Sequence, residues 1–245
     1  MRTPRGRGLR TLRHQAQLRP STFRVSDPPW VAQPASTLDR VKEWWLRTLL
    51  VLTAPRAVFA ALRDKTDESA ADRSEPILAI TVLAGIAGIV WTRPIERSMD
   101  NPDTDWLAVM ILVYLLGALY GAFIYWIGGA VLHWSVRSLG STGTFRRNRQ
   151  ILAFAAVPIA LSLVVELLRL AVYGSATFKT GGADSGAGGI AFSVIEVGFV
   201  GWTVALLLIG IRTLHGWTWG RAAWALGSAL LIAVLLGLGL AFVGA

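Results

Sequence analysis

The sequence has no cysteine, which excludes disulfide bonds and thiolate metal sites throughout its 245 residues. Histidine and methionine occur only three times each, and charged residues make up 16% of the chain, whereas a soluble domain carries about a quarter. The chain is instead rich in apolar residues: 53% of it is hydrophobic, and it contains eleven tryptophans. This composition is typical of an integral membrane protein rather than of a soluble enzyme.

Acidic residues are also scarce: 15 aspartates and glutamates stand against 24 lysines and arginines, which leaves a net charge of +9. Such an excess raises the question of nucleic-acid binding. However, residues 1–75 hold 14 basic and 8 acidic residues and the other 170 hold only 10 and 7, so the charges lie outside the apolar segments. We therefore expect no nucleic-acid partner. The expected partners are the lipid bilayer and its anionic headgroups, with other membrane proteins or a homo-oligomer as further candidates.

Residues 1–36 are interpreted as a disordered basic tail that ends in a proline-rich linker. The first 24 residues contain seven arginines and no acidic residue, and three prolines follow within 26–36. A tail of this kind is expected to touch anionic lipid, and a nucleic-acid-binding arm is the alternative.

Residues 37–75 are predicted to form amphipathic helices that lie in the headgroup region. Apolar residues recur there at helical spacing, at Leu38, Val41, Trp44, Trp45 and Leu49. Pro55 then interrupts the pattern, and neither half reaches the roughly 20 apolar residues of a membrane span. Paired tryptophans beside basic residues favour an interfacial helix, and packing against the rest of the protein is the alternative.

Residues 76–245 contain five apolar segments. They are Pro76–Trp91, Trp106–Trp134, Ile151–Tyr173, Ile190–Leu214 and Ala222–Val243. At about 1.5 Å per residue the second segment exceeds a hydrocarbon core of about 30 Å, so it should tilt or project into water. The sequence thus predicts an all-α integral membrane protein with five transmembrane helices.

The loops between these segments carry lysine and arginine in alternately high and low numbers, which orients the bundle. The segment before the first helix is rich in them, residues 92–105 have two beside four acidic residues, and 135–150 have four. Residues 174–189 have only Lys179, and 212–221 have two arginines. Under the positive-inside rule the N-terminus is cytoplasmic and the C-terminus external, and we expect a multi-pass protein of the cell membrane.

The stretch GSTGTFRRNRQ at residues 140–150 combines a small-residue loop with Arg146, Arg147 and Arg149. A phosphate-binding loop needs a Gly-x-x-x-x-Gly-Lys-Ser/Thr pattern after a strand, and neither the lysine nor the strand is present. We interpret the stretch as the cytoplasmic basic loop between the second and third helices, held at an anionic leaflet by its arginines.

Several short motifs, taken in order, resemble the Yip-type membrane domain, whose eukaryotic members interact with Ypt/Rab GTPases. The resemblance covers roughly residues 44–245. It rests on Pro55 and Phe59, on His133 before Gly143-Thr144-Phe145, on Pro158 in an alanine-rich helix, and on Trp202, Gly210, His215 and Gly220-Arg221-Ala222. The resemblance implies five transmembrane helices with the N-terminus in the cytosol. It makes Pro55, His133, Gly143, Pro158 and His215 the family-motif positions of this chain.

Three charged residues fall inside the predicted third and fourth membrane helices. Glu166 and Glu196 both lie about 10 Å below the external surface at about 1.5 Å per residue, and Arg169 is one turn from Glu166. Because an unpaired charge at this depth costs several kcal/mol, we expect Arg169 to bridge the two carboxylates and tie the two helices together.

Small residues at four-residue spacing predict close helix contacts, with a dimer face as the alternative. They occur at Gly117/Gly121, Ala84/Gly88 and Ala233/Gly237.

The sequence contains no Ser/His/Asp set, no His-Glu-x-x-His motif and no paired intramembrane aspartates. His133 and His215 fall near the cytoplasmic ends of helices two and four, and without nearby carboxylates they make a poor metal site. We expect neither an enzyme nor a cofactor. The favoured function is a non-enzymatic membrane scaffold or adaptor, and the alternative is a small transporter, channel or lipid-moving protein that uses the buried charges.

Overall fold

The computed structural model describes residues 46, 48–63, 75–92, 95, 97–101, 103–182 and 186–243. The predicted tail and linker of residues 1–36 lie outside these residues. So do residues 37–45, 47 and 64–74 of the predicted interfacial segment. Within the described ranges all regular secondary structure is helical, and no β-strand occurs.

The helices are numbered here in chain order, after a helical stretch at residues 48–53. They are α1 (Pro55–Ala61), α2 (Glu75–Val90), α3 (Trp106–Phe123), α4 (Gly129–Ser138), α5 (Phe145–Ala155), α6 (Val157–Tyr173), α7 (Ala187–His215) and α8 (Trp219–Val243). A π-helical turn (Ile124–Gly128) joins α3 to α4, and a 3₁₀ turn (Gly174–Phe178) follows α6.

Four helical stretches of the described chain are long and apolar enough to cross a membrane. They are Trp106–Ser138, Phe145–Phe178, Ala187–His215 and Trp219–Gly239. They correspond to the second to fifth predicted segments. The first predicted segment is the shorter apolar helix Ile77–Val90, which falls below the length of a full span.

Large apolar side chains cover the outside of these long helices. Ile111 of α3, Val197 of α7 and Leu231 of α8 are each exposed by 60% or more. In a soluble protein such continuous apolar surface would drive association, whereas lipid chains cover it at no cost. The surface therefore fits the membrane location that the hydropathy indicates.

The contact between α2 and α3 is made of glycines. A Cβ added to Gly85 would overlap the carbonyl oxygen of Gly117, and one added to Gly121 would overlap the carbonyl oxygen of Thr81. The two backbones thus approach as closely as small residues allow. The predicted Gly117/Gly121 pair lies in this contact, opposite Gly85, whereas a Cβ on Gly237 of α8 would meet nothing within 4 Å.

Helix α5 lies at the centre of the bundle and packs against α2, α4 and α7. Its Ile151, Ala153 and Phe154 are buried in one apolar cluster with Phe59 of α1 and Leu206 of α7. Because α5 is short and buried on several sides, it fixes the position of the segments on either side of it.

Loop contacts define two opposite ends of the bundle. At one end the Met99 amide donates to the Phe178 carbonyl (3.0 Å), and Thr180 donates its amide and hydroxyl to Asp100 at 2.7 and 2.5 Å. These hydrogen bonds hold the pKa of the Asp100 carboxyl below its usual range, so the link is present at neutral pH and is lost as pH falls through that lowered pKa.

The other end carries residues 56–63, 137–147 and 212–221, and we call it the arginine end. The Arg221 guanidinium donates to the carbonyl of Leu139 there, and a Cβ on Gly216 would lie 3.7 Å from the guanidinium of Arg63. The described residues 97–101 and 174–180 thus lie at one end of the bundle, and residues 137–147 and 212–221 lie at the other.

Candidate functional site: a polar pocket at the arginine end

A polar pocket of about 340 Å³ opens at the arginine end. It is lined by Arg63, Gly140, Ser141, Thr142, Gly143, Arg147, Leu214, His215 and Trp217. The pocket therefore joins three separate stretches of the chain: Arg63 shortly after α1, the loop between α4 and α5 with the first turn of α5, and residues 214–217 at the end of α7.

Two glycines with left-handed backbone conformations shape the walls of this pocket. Gly140 (φ 84°) lies two residues after the end of α4, and the Ser141 amide next to it donates back to the Val136 carbonyl at 3.0 Å. Helix α7 ends at Gly216 (φ 66°), and the Trp217 amide donates back to the Arg212 carbonyl at 3.1 Å. Such ends favour glycine because other residues are strained at these angles.

Ser141 and His215 connect the two walls. The Ser141 hydroxyl oxygen accepts from the Gly143 amide at 3.0 Å and lies 2.9 Å from His215 Nδ1. A Cβ on Gly143 would come within 2.9 Å of His215 Cε1, so only glycine leaves room for the imidazole. Two family-motif positions, Gly143 and His215, are thus direct neighbours.

Stacked cationic and aromatic groups close one side of the pocket. The His215 ring lies 4.8 Å from the Trp217 ring, and the Arg221 guanidinium lies 4.4 Å above that indole. Arg212 makes a similar contact with Trp219 at 4.5 Å. Cation–π contacts of this kind fix the arginines while leaving their charge unneutralised.

The three arginines predicted to lie in a cytoplasmic loop belong instead to the first turns of α5. Thr144 has an extended backbone at the helix N-cap, and the helix begins at Phe145. Arg147 lines the pocket, whereas Arg149 turns toward α4 with its guanidinium 3.9 Å from the ring of Trp126 and 4.6 Å from that of Phe145. Hydropathy assigns charged residues to loops, whereas here they occupy the first two turns of a helix.

Glycine again makes room for one of these side chains. A Cβ added to Gly129 would overlap the aliphatic part of Arg149. The arginine therefore lies across the start of α4, where its stem packs on backbone and its head group on aromatic rings.

The other family-motif positions lie at separate places in the fold. Nδ1 of His133 accepts a hydrogen bond from the side-chain nitrogen Nδ2 of Asn148 at 2.9 Å. The His133 ring lies edge-on to the Phe145 ring, with 5.6 Å between the ring centres. Pro55 and Pro158 occupy the first turns of α1 and α6, where a missing amide hydrogen costs no helical hydrogen bond. Among the described residues, no three His, Asp or Glu side chains gather as a metal site would require.

The predicted intramembrane charges lie toward the opposite end. Arg169 Nη1 is 3.5 Å from Glu196 Oε1, and both side chains are nearly buried, with 10% and 13% of their surface exposed. Glu166 accepts a hydrogen bond from the indole nitrogen of Trp91 at 2.7 Å. The arginine thus links α6 to α7, and the second carboxylate links α6 to the end of α2. In the sequence Trp91 only ends the first apolar segment, and no pattern there indicates it as a partner of Glu166.

Comparison with known proteins agrees with this architecture. The family model for the Yip1 domain matches residues 49–241. No curated protein and no solved structure matches the chain. The matched range takes in α1 through nearly all of α8, including both the polar pocket and the buried charges. With its long apolar helices, the chain is a multi-pass membrane protein that belongs to the Yip1 domain family.

Proposed function

We propose that this protein is a non-enzymatic scaffold or adaptor of the cell membrane, which binds anionic partners through its arginine end. In this proposal α2 is the first of five spans, the amphipathic segment before it lies at the interface, and the arginine end faces the cytoplasm. The C-terminus is then external. In this proposal the protein binds partners at the membrane and performs neither catalysis nor transport.

The observation that carries the proposal is the single sign of charge at the arginine end. Arg56, Arg63, Arg137 and Arg221 are all exposed there, and the described residues of this end include no aspartate or glutamate. Each arginine near an anionic surface contributes about 1 kcal/mol of attraction. A surface that carries only positive charges favours acidic lipids and acidic protein surfaces over other partners.

Capture from native membranes tests this docking. Replacing Arg56 and Arg137 together by glutamine should lower recovery of the bound partner by roughly tenfold or more, because about 2 kcal/mol of attraction is lost. The measurement is quantitative mass spectrometry of the proteins and lipids that co-purify with each variant.

Lys179→Gln is the matched control, because this exposed lysine lies at the opposite end. It should leave recovery unchanged. An equal loss with Lys179→Gln, or no partner with the native chain, would contradict docking at the arginine end.

Cysteine labelling tests the orientation. Since the native chain has no cysteine, Ser175→Cys and Thr142→Cys each carry one unique, exposed thiol. A membrane-impermeant maleimide should label Ser175→Cys in intact cells and Thr142→Cys only after permeabilisation. The reverse labelling pattern would place the arginine end outside the cell and contradict the proposed orientation.

A small transporter or lipid-moving protein is the second candidate. One observation favours it: Trp91, the partner of Glu166, also lines a cavity of about 290 Å³ between α2, α3 and α6. A buried carboxylate beside such a space is typical of a proton or substrate path. Substrate or proton flux in proteoliposomes that disappears in Glu166→Gln would favour this candidate over the scaffold.

A further inference from the structure

The cavity of about 290 Å³ between α2, α3 and α6 lies inside the bundle, away from the arginine end. We propose that it binds one acyl chain of a phospholipid from the leaflet opposite the arginine end. The inference goes beyond the proposed docking, because it assigns a ligand to a space that none of the exposed arginines lines. Four features of the cavity support it: its depth, its lining, its length and its opening.

The first argument is depth. The lining includes Tyr120, Ile159 and Thr203, and each of them lies near the middle of one of the long apolar helical stretches. At about 1.5 Å per residue, all three lie about 20 Å from the nearer end of their stretch. The hydrocarbon core of a bilayer is about 30 Å thick and holds no water, so this part of the cavity is at the centre of the hydrocarbon.

The second argument is the chemistry of the lining. Most of the described lining residues are glycine, alanine, leucine or isoleucine. Two of the polar ones are already bonded: the Thr81 hydroxyl donates to the Leu78 carbonyl at 2.9 Å, and the Trp91 indole nitrogen donates to Glu166 at 2.7 Å. Water needs two to four polar partners, and an apolar cavity of about 150 Å³ stays dry. A hydrocarbon ligand therefore suits this lining better than water does.

The third argument is length. Thr81 and Trp91 both line the cavity, and at about 1.5 Å per residue they lie about 15 Å apart along α2. Thr81 is at the level of Gly121, near the middle of its span, because a Cβ on Gly121 would overlap the Thr81 carbonyl. The cavity thus extends from the centre of the bilayer away from the arginine end. Its length is about half of a 30 Å core, which is the depth that the acyl chains of one leaflet occupy.

The fourth argument is access. Ala84, Tyr120 and Ile124 line the cavity and are also exposed on the outside of the bundle, so the space opens sideways. Because this opening lies at the depth of the hydrocarbon, a lipid chain enters it directly from the bilayer. A polar ligand would first have to cross the headgroup region and part of the core.

The test uses the full chain in nanodiscs of phosphatidylglycerol. The probe is a phosphatidylglycerol with a photoreactive diazirine near the methyl end of one acyl chain, and peptide mass spectrometry identifies the cross-linked residues. Leu152 and Ile159, which line the cavity, should be cross-linked at least fivefold more than Val204 and Leu231. The latter two are aliphatic residues exposed near the middle of α7 and α8. Equal cross-linking of both pairs would overturn the proposal.

Two substitutions fill the cavity without changing any charge. A Cβ on Gly88 would meet only Tyr120 among the described residues, at an ordinary 3.6 Å, so Gly88→Leu extends a side chain into the space. Ala84→Leu narrows the opening. Each variant should lower cross-linking of Ile159 at least fivefold. Gly227→Leu is the matched control, because a Cβ at this exposed position of α8 would meet no described atom within 4 Å, and it should change nothing.

Thermal unfolding separates loss of the ligand from loss of the fold. Exchange into lipid-free detergent should lower the melting temperature of the native chain, because the lining of the emptied cavity loses its contacts. Adding phosphatidylglycerol back should restore it. In Gly88→Leu the leucine occupies part of the space itself, so the lipid-dependent shift should be at most half as large. Equal shifts in the native chain, Gly88→Leu and Ala84→Leu, or undiminished cross-linking in both variants, would show that no acyl chain occupies the cavity.

Discussion

Replacing Glu196 by glutamine is expected to lower the free energy of unfolding by about 3 kcal/mol, since it leaves the nearly buried Arg169 without its 3.5 Å carboxylate partner. Arg169→Gln should cost a similar amount, because it removes the guanidinium that lies 3.5 Å from the Glu196 carboxylate. The double variant should cost at least about 1 kcal/mol less than the sum, because the second substitution removes the charge that the first one stranded. Equilibrium unfolding in mixed micelles measures all three.

Glu166→Gln is the control for this cycle. The Glu166 side chain accepts a hydrogen bond from Trp91, and the amide oxygen of glutamine accepts the same bond, so the loss should be smaller. Strictly additive losses for Glu196 and Arg169 would mean that the ion pair does not tie α6 to α7.

The second large effect is expected at the glycine contact between α2 and α3. Gly121→Ala should lower the free energy of unfolding by about 1–3 kcal/mol, because the added methyl group overlaps the Thr81 carbonyl and the two backbones must separate. Gly85→Ala should behave alike, since its methyl group would overlap the Gly117 carbonyl. The measurement is again unfolding in mixed micelles.

Gly227→Ala is the matched control. A Cβ at this exposed position in α8 would meet nothing within 4 Å. Here alanine should raise stability by up to about 1 kcal/mol, because it reduces the backbone freedom of the unfolded chain. The two substitutions should therefore have opposite signs. A stabilising Gly121→Ala would show that the helices are not held at this distance.

The long helices were predictable because hydropathy is a local property of the chain. The second segment was predicted to begin at Trp106, and α3 begins there, with the carboxylate of Asp105 accepting from the Leu107 amide at 3.2 Å. The predicted third segment began six residues late, at Ile151, because the arginines of α5 lower its hydropathy. Amphipathic periodicity, rather than average hydropathy, is the signal that would have found it.

The sites were less predictable, because they join distant parts of the chain. The contact between Trp91 and Glu166 spans 75 positions, and neither residue type specifies the other. In the polar pocket the sequence singled out Gly143, Arg147 and His215 but not Arg63 or Trp217. These residues become neighbours only when the ends of α1, α4 and α7 are brought together around α5.

The π-helical turn at Ile124–Gly128 determines which side chains of α4 face the rest of the bundle. Buried residues of α3 recur every four positions, at Val109, Val113, Gly117 and Gly121. An α-helix completes a turn in 3.6 residues, so this row drifts around the axis by about 40° per step. A turn with wider hydrogen bonds takes in one more residue and rotates the chain back. The row of buried residues therefore continues through Tyr125 and Gly129. Without the π-helical turn, Gly129 would be rotated away from this face and could not contact Arg149.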